Sequence, residues 1–165
     1  MSHDAFFCKE RLPNYKLLHP VYLDELIGET ISTGRVVLKR ICESDQPCNW
    51  ETTVIPISQI SEKIHRIWGA ANHLSSVSDS PALRDVINKN LEQVTSFWTD
   101  FSQNKTLYKI FDNLRRGISK TTHPHQHKVL CDYIRDFELA GAHLEDDSQL
   151  NFKQNTIELN KLAQR

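Results

Sequence analysis

The sequence predicts an all-α protein, a bundle of antiparallel helical hairpins with about five to seven helices. Apolar residues recur at three-to-four spacing along most of the chain, which is the signature of one buried helix face. No stretch alternates apolar and polar residues strictly enough for a sheet strand. The periodic stretches are separated by short breaks rich in Asn, Ser, Gly and Pro, as antiparallel neighbours require. The 165 residues fit one domain, read as 1–165 with residues 1–16 as an extended arm. A domain of this size buries roughly 70% of the surface its unfolded chain exposes, enough for a real core.

The first helix is expected to start at Pro20, because proline has no N–H to leave unpaired at the first helical position. Leu23, Leu26, Ile27, Ile31, Val37, Leu38 and Ile41 form its buried face. Gly28 and Gly34 each weaken it by about 1 kcal/mol relative to Ala, so packing must hold it. Glu43 to Asn49 is a loop, and Asn49 is placed to cap a second helix carrying Val54, Ile57, Ile60, Ile64, Ile67 and Trp68. Pro56 predicts a kink or a restart near Ile55, since proline disfavours helical geometry in the residue before it.

That helix can run past Gly69 to Val77. Ser80-Pro81 then opens the longest clean stripe, with Leu83, Val86, Ile87, Leu91, Val94, Phe97, Trp98 and Phe101 on one face. Gln103-Asn104-Lys105 breaks it. Leu107, Tyr108, Ile110, Phe111 and Leu114 mark a shorter helix ended by Gly117. Another follows Thr122, burying Val129, Leu130, Tyr133, Ile134 and Phe137, with Gly141 as a left-handed cap. Asp146-Asp147-Ser148 opens the last, which carries Leu150, Phe152, Ile157, Leu159 and Leu162 and is still periodic at Ala163-Gln164-Arg165. An apolar face is expected on it, at Leu159 and Leu162.

The balance of 20 basic and 21 acidic residues, net charge −1, gives no broad electrostatic reason to bind nucleic acid or an anionic membrane. No apolar run approaches the roughly 20 residues needed to cross a bilayer, and MSHDAFFCKER lacks the order of a signal peptide. Cytoplasm is the expected compartment. Cys8, Cys42, Cys48 and Cys131 are irregularly spaced and read as free thiols.

Several clusters invite chemistry. His123-Pro124-His125-Gln126-His127, with Cys131 one turn after His127, places imidazoles and a thiol where a zinc or nickel ion could sit. Against that, the proline is expected to hold His123, His125 and His127 in an extended segment, and no fixed carboxylate is evident. Arg115-Arg116 near Lys120 can contact phosphate, but reads better as a solvated turn. His73 is either a channel-wall residue or, the favoured reading, a histidine bonding loop backbone between two long helices. Arg135-Asp136 is expected to pair with neighbouring helices rather than meet a peptide terminus. Trp50, Trp68 and Trp98 take apolar helical positions and read as core.

Four words stand in one order: Asn49-Trp50-Glu51, Asn72-His73-Leu74, Ser80-Pro81-x-Leu83-Arg84 and Arg135-Asp136-Phe137-x-Leu139-x-Gly141. With this spacing the chain resembles, from about Leu17 to Arg165, the N-terminal helical region of oligopeptidase-A-like enzymes of the thimet-oligopeptidase zinc metallopeptidase family. Only the first dozen or so residues and the loop near Arg116 to Gln126 fit poorly. The resemblance implies one wall of a deep channel that admits only short peptides to a zinc domain. A His-Glu-x-x-His helix supplies two zinc ligands and a general base in such enzymes, and this sequence has no His-Glu dipeptide. Catalytic, cofactor and metal residues are therefore expected to be none in this chain, with zinc belonging to the complete family enzyme. A separately encoded zinc half is the implied partner. An autonomous helical interaction module and an inactive relic stay open beside this reading.

Overall fold

The computed structural model describes Tyr15 and residues 18–163. Apart from Tyr15, the expected arm over 1–16 lies outside the described residues, as do Cys8 and the side chains of Ile157 and Leu162. Among the described residues there are helices and turns and no strand, so the protein is all-α. The chain divides into two compact units, Met1–Phe97 and Trp98–Arg165.

In the first unit, α1 spans Pro20–Cys42 with Pro20 in its first turn. Its buried residues are Leu23, Leu26, Ile27, Thr30, Ile31, Gly34, Leu38 and Ile41, and Val37 is half-buried. Thr30 is polar yet buried because its hydroxyl donates to the Leu26 carbonyl at 2.7 Å. The loop after α1 ends at Asn49, which caps a π-helical turn, Trp50–Val54. Asn49 Oδ1 accepts from Thr52 N–H at 2.8 Å, and Thr52 Oγ1 accepts from Asn49 N–H at 3.3 Å. This reciprocal pair satisfies two orphan donors. The expected restart near Ile55 takes this form: α2 spans Ile55–Val77, with Pro56 in its first turn.

α3 spans Pro81–Ser102 and starts where Ser80 Oγ accepts from Leu83 N–H at 3.2 Å. Helix directions follow from which residues meet. Gly34 of α1 lies against Ile60 of α2, whereas Ile27 and Ile31 share an apolar cleft with Ile64 and Ile67, so α1 and α2 are antiparallel. Asp24 meets Lys89 and Asn90, and Gly34 meets Phe97, so α3 runs parallel to α1. The sequence marked Gly34 as a cost. Its role is a close approach, since a Cβ there would stand 2.8 Å from Phe97 Cε2.

In the second unit, α4 spans Lys105–Gly117 and α5 spans Pro124–Leu139. The break before α4 is shorter than expected: Lys105 is already helical, and Asn104 Oδ1 accepts from Leu107 N–H at 2.9 Å. Tyr108 packs on Phe137, and Phe111 on Tyr133 at a centroid distance of 4.7 Å, so α4 and α5 are antiparallel. Phe101, Phe111, Tyr133 and Phe137 form a mutually tilted aromatic cluster.

Two expectations for α5 are corrected. Pro124 does not hold its histidines extended; it occupies the first helical turn, where its missing N–H costs nothing, and His125 and His127 are helical. Val129 is 37% exposed, because Leu130, Ile134 and Phe137 already fill the buried stripe. The end of α5 is as expected. Gly141 has φ 84°, Ala142 N–H reaches the Phe137 carbonyl at 2.9 Å, and Gly141 N–H reaches that of Glu138 at 3.1 Å. These two bonds make a Schellman cap, and buried Ala142 sits over buried Phe137. α6, Asp146–Ala163, is tethered by Gln149 Nε2, which donates to the carbonyls of Gln103 at 2.9 Å and Gly141 at 3.3 Å.

Candidate functional site

The histidine-rich segment resolves into one contact. His127 and Cys131 stand one turn apart on α5, both half-buried, with Nδ1 3.5 Å from Sγ. His123, at the helix cap, and His125 are exposed. Among the described residues no three His, Cys, Asp or Glu side chains are placed to share a metal ion. The donors of a zinc hydrolase, two imidazoles one turn apart beside a glutamate, are not assembled from these residues. Cys42, Cys48 and Cys131 take part in no disulfide among the described residues.

The two arginines of the basic turn share one carboxylate, which offsets part of their charge. Asp112 receives Arg115 at 2.6 Å and Arg116 at 2.5 Å. The hydrogen bond from Arg115 leads in holding the Asp112 carboxyl below its ordinary range, and the same bond raises Arg115. Both guanidiniums are thus held within α4 by its own carboxylate, at its solvated end.

His73 lies in α2, which runs to Val77 as the sequence allows; it is exposed, and its ring stands 5.6 Å from that of Tyr15. Arg135 is corrected, for it pairs within α5, with Asp136 at 3.2 Å and Asp132 at 3.5 Å. The Asp132 pair follows from i,i+3 spacing on the helix, and the Asp136 pair from adjacency along the chain. In the word beginning at Ser80, Arg84 pairs with Asp79 across the helix start. Trp50, Trp68 and Trp98 are half-buried, Trp68 lining the apolar cleft beside Val94 and Trp98 edge-on to Phe101.

A feature that pattern reading missed is Asn90, fully buried on a helix face otherwise apolar. Its Nδ2 donates to Asp24 Oδ1 at 2.7 Å and to the Val86 carbonyl at 2.8 Å, and its Oδ1 accepts from Gln93. Lys89 reaches the other Asp24 oxygen at 2.7 Å. The bond from Lys89, then that from Asn90, lowers the Asp24 carboxyl pKa against the opposing effect of burial. The only advance signal was Asn90 one position before Leu91 in the stripe. On α6, Leu150 is 56% and Leu159 66% exposed; nine residues apart, they lie on opposite sides of the helix, and of the face expected at Leu159 and Leu162 only the Leu159 side chain is described.

Residues 32–149 match the family model for the neurolysin/thimet oligopeptidase N-terminal domain. Oligopeptidase A of Escherichia coli strain K12 is 27% identical over 153 residues, which is 92% of this chain and 22% of that protein. Oligopeptidase A of Haemophilus influenzae is 24% identical over 152 residues, again 92% of this chain and 22% of that protein. A probable cytosolic oligopeptidase A of Arabidopsis thaliana is 29% identical over 118 residues, 71% of this chain and 17% of that protein. The chain thus spans about a fifth of the length of the curated relatives it matches.

Proposed function

This chain belongs to the family of the neurolysin/thimet oligopeptidase N-terminal domain, and on that premise we propose that it forms the helical wall of a peptide channel. The observation that carries this reading is the family match over 32–149. Its contribution is enclosure and selection of short peptides, while bond cleavage belongs to a zinc domain outside these 165 residues. Zinc ligation by this chain's own residues is not part of the proposal, because the donors described above do not fit that site. Exposed Leu159 on α6 supports an interface with the zinc domain on that side of the helix. The cytoplasm is the compartment proposed, in keeping with the name of the Arabidopsis cytosolic relative.

The test is hydrolysis of quenched-fluorescent short peptides. The purified chain with added zinc is expected to show no turnover above background, and mixing with a separately expressed zinc domain of an oligopeptidase A is expected to restore it. Replacing Leu159 and Leu162 with Asp should abolish that restoration while leaving helical content intact, since charges buried at an interface cost several kcal/mol. Chelator-sensitive turnover by the chain alone refutes the enclosure role. Failure of the two halves to associate at micromolar concentration overturns complementation and favours the inactive relic instead.

A further inference from the structure

Four-residue spacing puts His127 and Cys131 side by side on the outer part of α5, where the helix backbone fixes the separation of their Cβ atoms. Their donor atoms, Nδ1 and Sγ, are 3.5 Å apart. A tetrahedral ion with metal–nitrogen bonds of about 2.0–2.1 Å and a metal–sulfur bond of about 2.3 Å holds its two donors about 3.5 Å apart. The pair therefore already spans the bite such an ion needs, and both side chains are partly open to solvent.

We propose that His127 and Cys131 form a two-donor clip for one divalent cation of the zinc–cobalt class, with water completing the coordination. Imidazole and thiolate are the donor types these borderline ions prefer over carboxylate and carbonyl oxygen. No third protein donor is invoked, because the described residues assemble no group of three. His123, one turn earlier, is exposed at the helix cap. Across from the pair, Arg115 of α4 lies close enough to interact electrostatically with Cys131, and its charge is shared with Asp112 at 2.6 Å. Asp132 beside the thiol is committed to Lys128 at 2.5 Å. On binding, the cation replaces the thiol proton, an S–H bond breaking as the S–metal bond forms and the proton leaving to solvent. Affinity therefore falls as pH falls. This inference is independent of the family reading.

The test is a cobalt(II) titration of the full chain, read by the near-ultraviolet thiolate-to-cobalt charge-transfer absorption. A saturable band is expected. It should vanish in Cys131→Ser, weaken about tenfold or more in His127→Ala, and persist in Cys42→Ser, Cys48→Ser, His123→Ala and His125→Ala. Far-UV circular dichroism checks each variant's fold. Should Cys131→Ser lose helicity, protection of Cys131 from iodoacetamide by cobalt in the native chain is read instead, with loss of that protection expected in His127→Ala. A band that survives in folded Cys131→Ser, equal affinity in His127→Ala, no band with excess cobalt, or a tenfold loss in His123→Ala overturns the two-donor clip.

Discussion

Gly34→Ala is expected to destabilise the protein, although the same change in most helices does the opposite. Alanine is better than glycine in a helix interior by about 1 kcal/mol. At Gly28, in the same helix, a new Cβ meets nothing within 4 Å, so Gly28→Ala should collect that gain. At Gly34 the Cβ would lie 2.8 and 3.0 Å from the Phe97 ring and 3.2 Å from Ile60 Cγ1. Carbon pairs prefer about 3.5–4.0 Å. Phe97 is 2% exposed and Ile60 is buried, so neither can swing into solvent to make room. Overpacking of this sort costs about 1–3 kcal/mol. After the propensity gain, Gly34→Ala should be less stable than the wild type by about 0–2 kcal/mol. The gap between the two alanine variants isolates the packing term, about 1–3 kcal/mol. Urea unfolding followed by far-UV circular dichroism measures it; with a slope near 2 kcal/mol per molar, the midpoints should differ by about 0.5–1.5 M. Equal midpoints for the two variants, with unchanged slopes, would refute the close approach of α1 to Phe97.

Asn90→Ala removes a buried amide and leaves Asp24 with one of its two partners, so a loss of about 1–3 kcal/mol in urea unfolding is expected. Because the folded Asp24 carboxyl titrates below its unfolded value of about 3.9, its contribution is full above that pH and is lost as pH falls through the folded value. Asp24→Asn should accordingly flatten the acid limb of a stability-against-pH curve, and an unchanged limb would remove Asp24 as its source. Gly141→Ala forces a side chain into φ 84°, with Leu144 Cδ1 3.0 Å from the new Cβ. A lowered melting temperature, equivalent to about 1–2 kcal/mol, is expected, and no change would contradict the left-handed cap.

Helix starts and stops were legible because they are written in local chemistry. Pro20, Asn49, Pro56, Ser80-Pro81, Gly117 and Gly141 each act through a backbone group within a few residues. What escaped turns on a choice between arrangements that local pattern leaves equally open, or on a partner distant in the chain. Val129 fits a periodic face, yet the face is already filled by Leu130, Ile134 and Phe137. Pro124 between histidines suggests an extended tract, yet it opens α5, because a proline fits the first helical turn as readily as an extended segment. Arg135 found its partners within its own helix. The words around Asn72 and Arg135 pointed to the family that the match over 32–149 establishes, while no residue pattern announced that Asn90 would be buried against Asp24.

The Asp24–Asn90 contact also bears on which of several similar packings the chain adopts. Apart from Gly34 against Phe97, much of the buried surface of α1 and α3 is aliphatic, and those contacts alone would resist a one-turn slide of one helix along the other only weakly. The polar pair is not interchangeable. A one-turn slip, about 5.4 Å, would carry Asn90 away from its carboxylate and set a buried amide against hydrocarbon, a penalty of about 1–3 kcal/mol. Its worth lies in that difference between the right alignment and the wrong ones, as a single buried polar residue fixes the register of paired helices elsewhere.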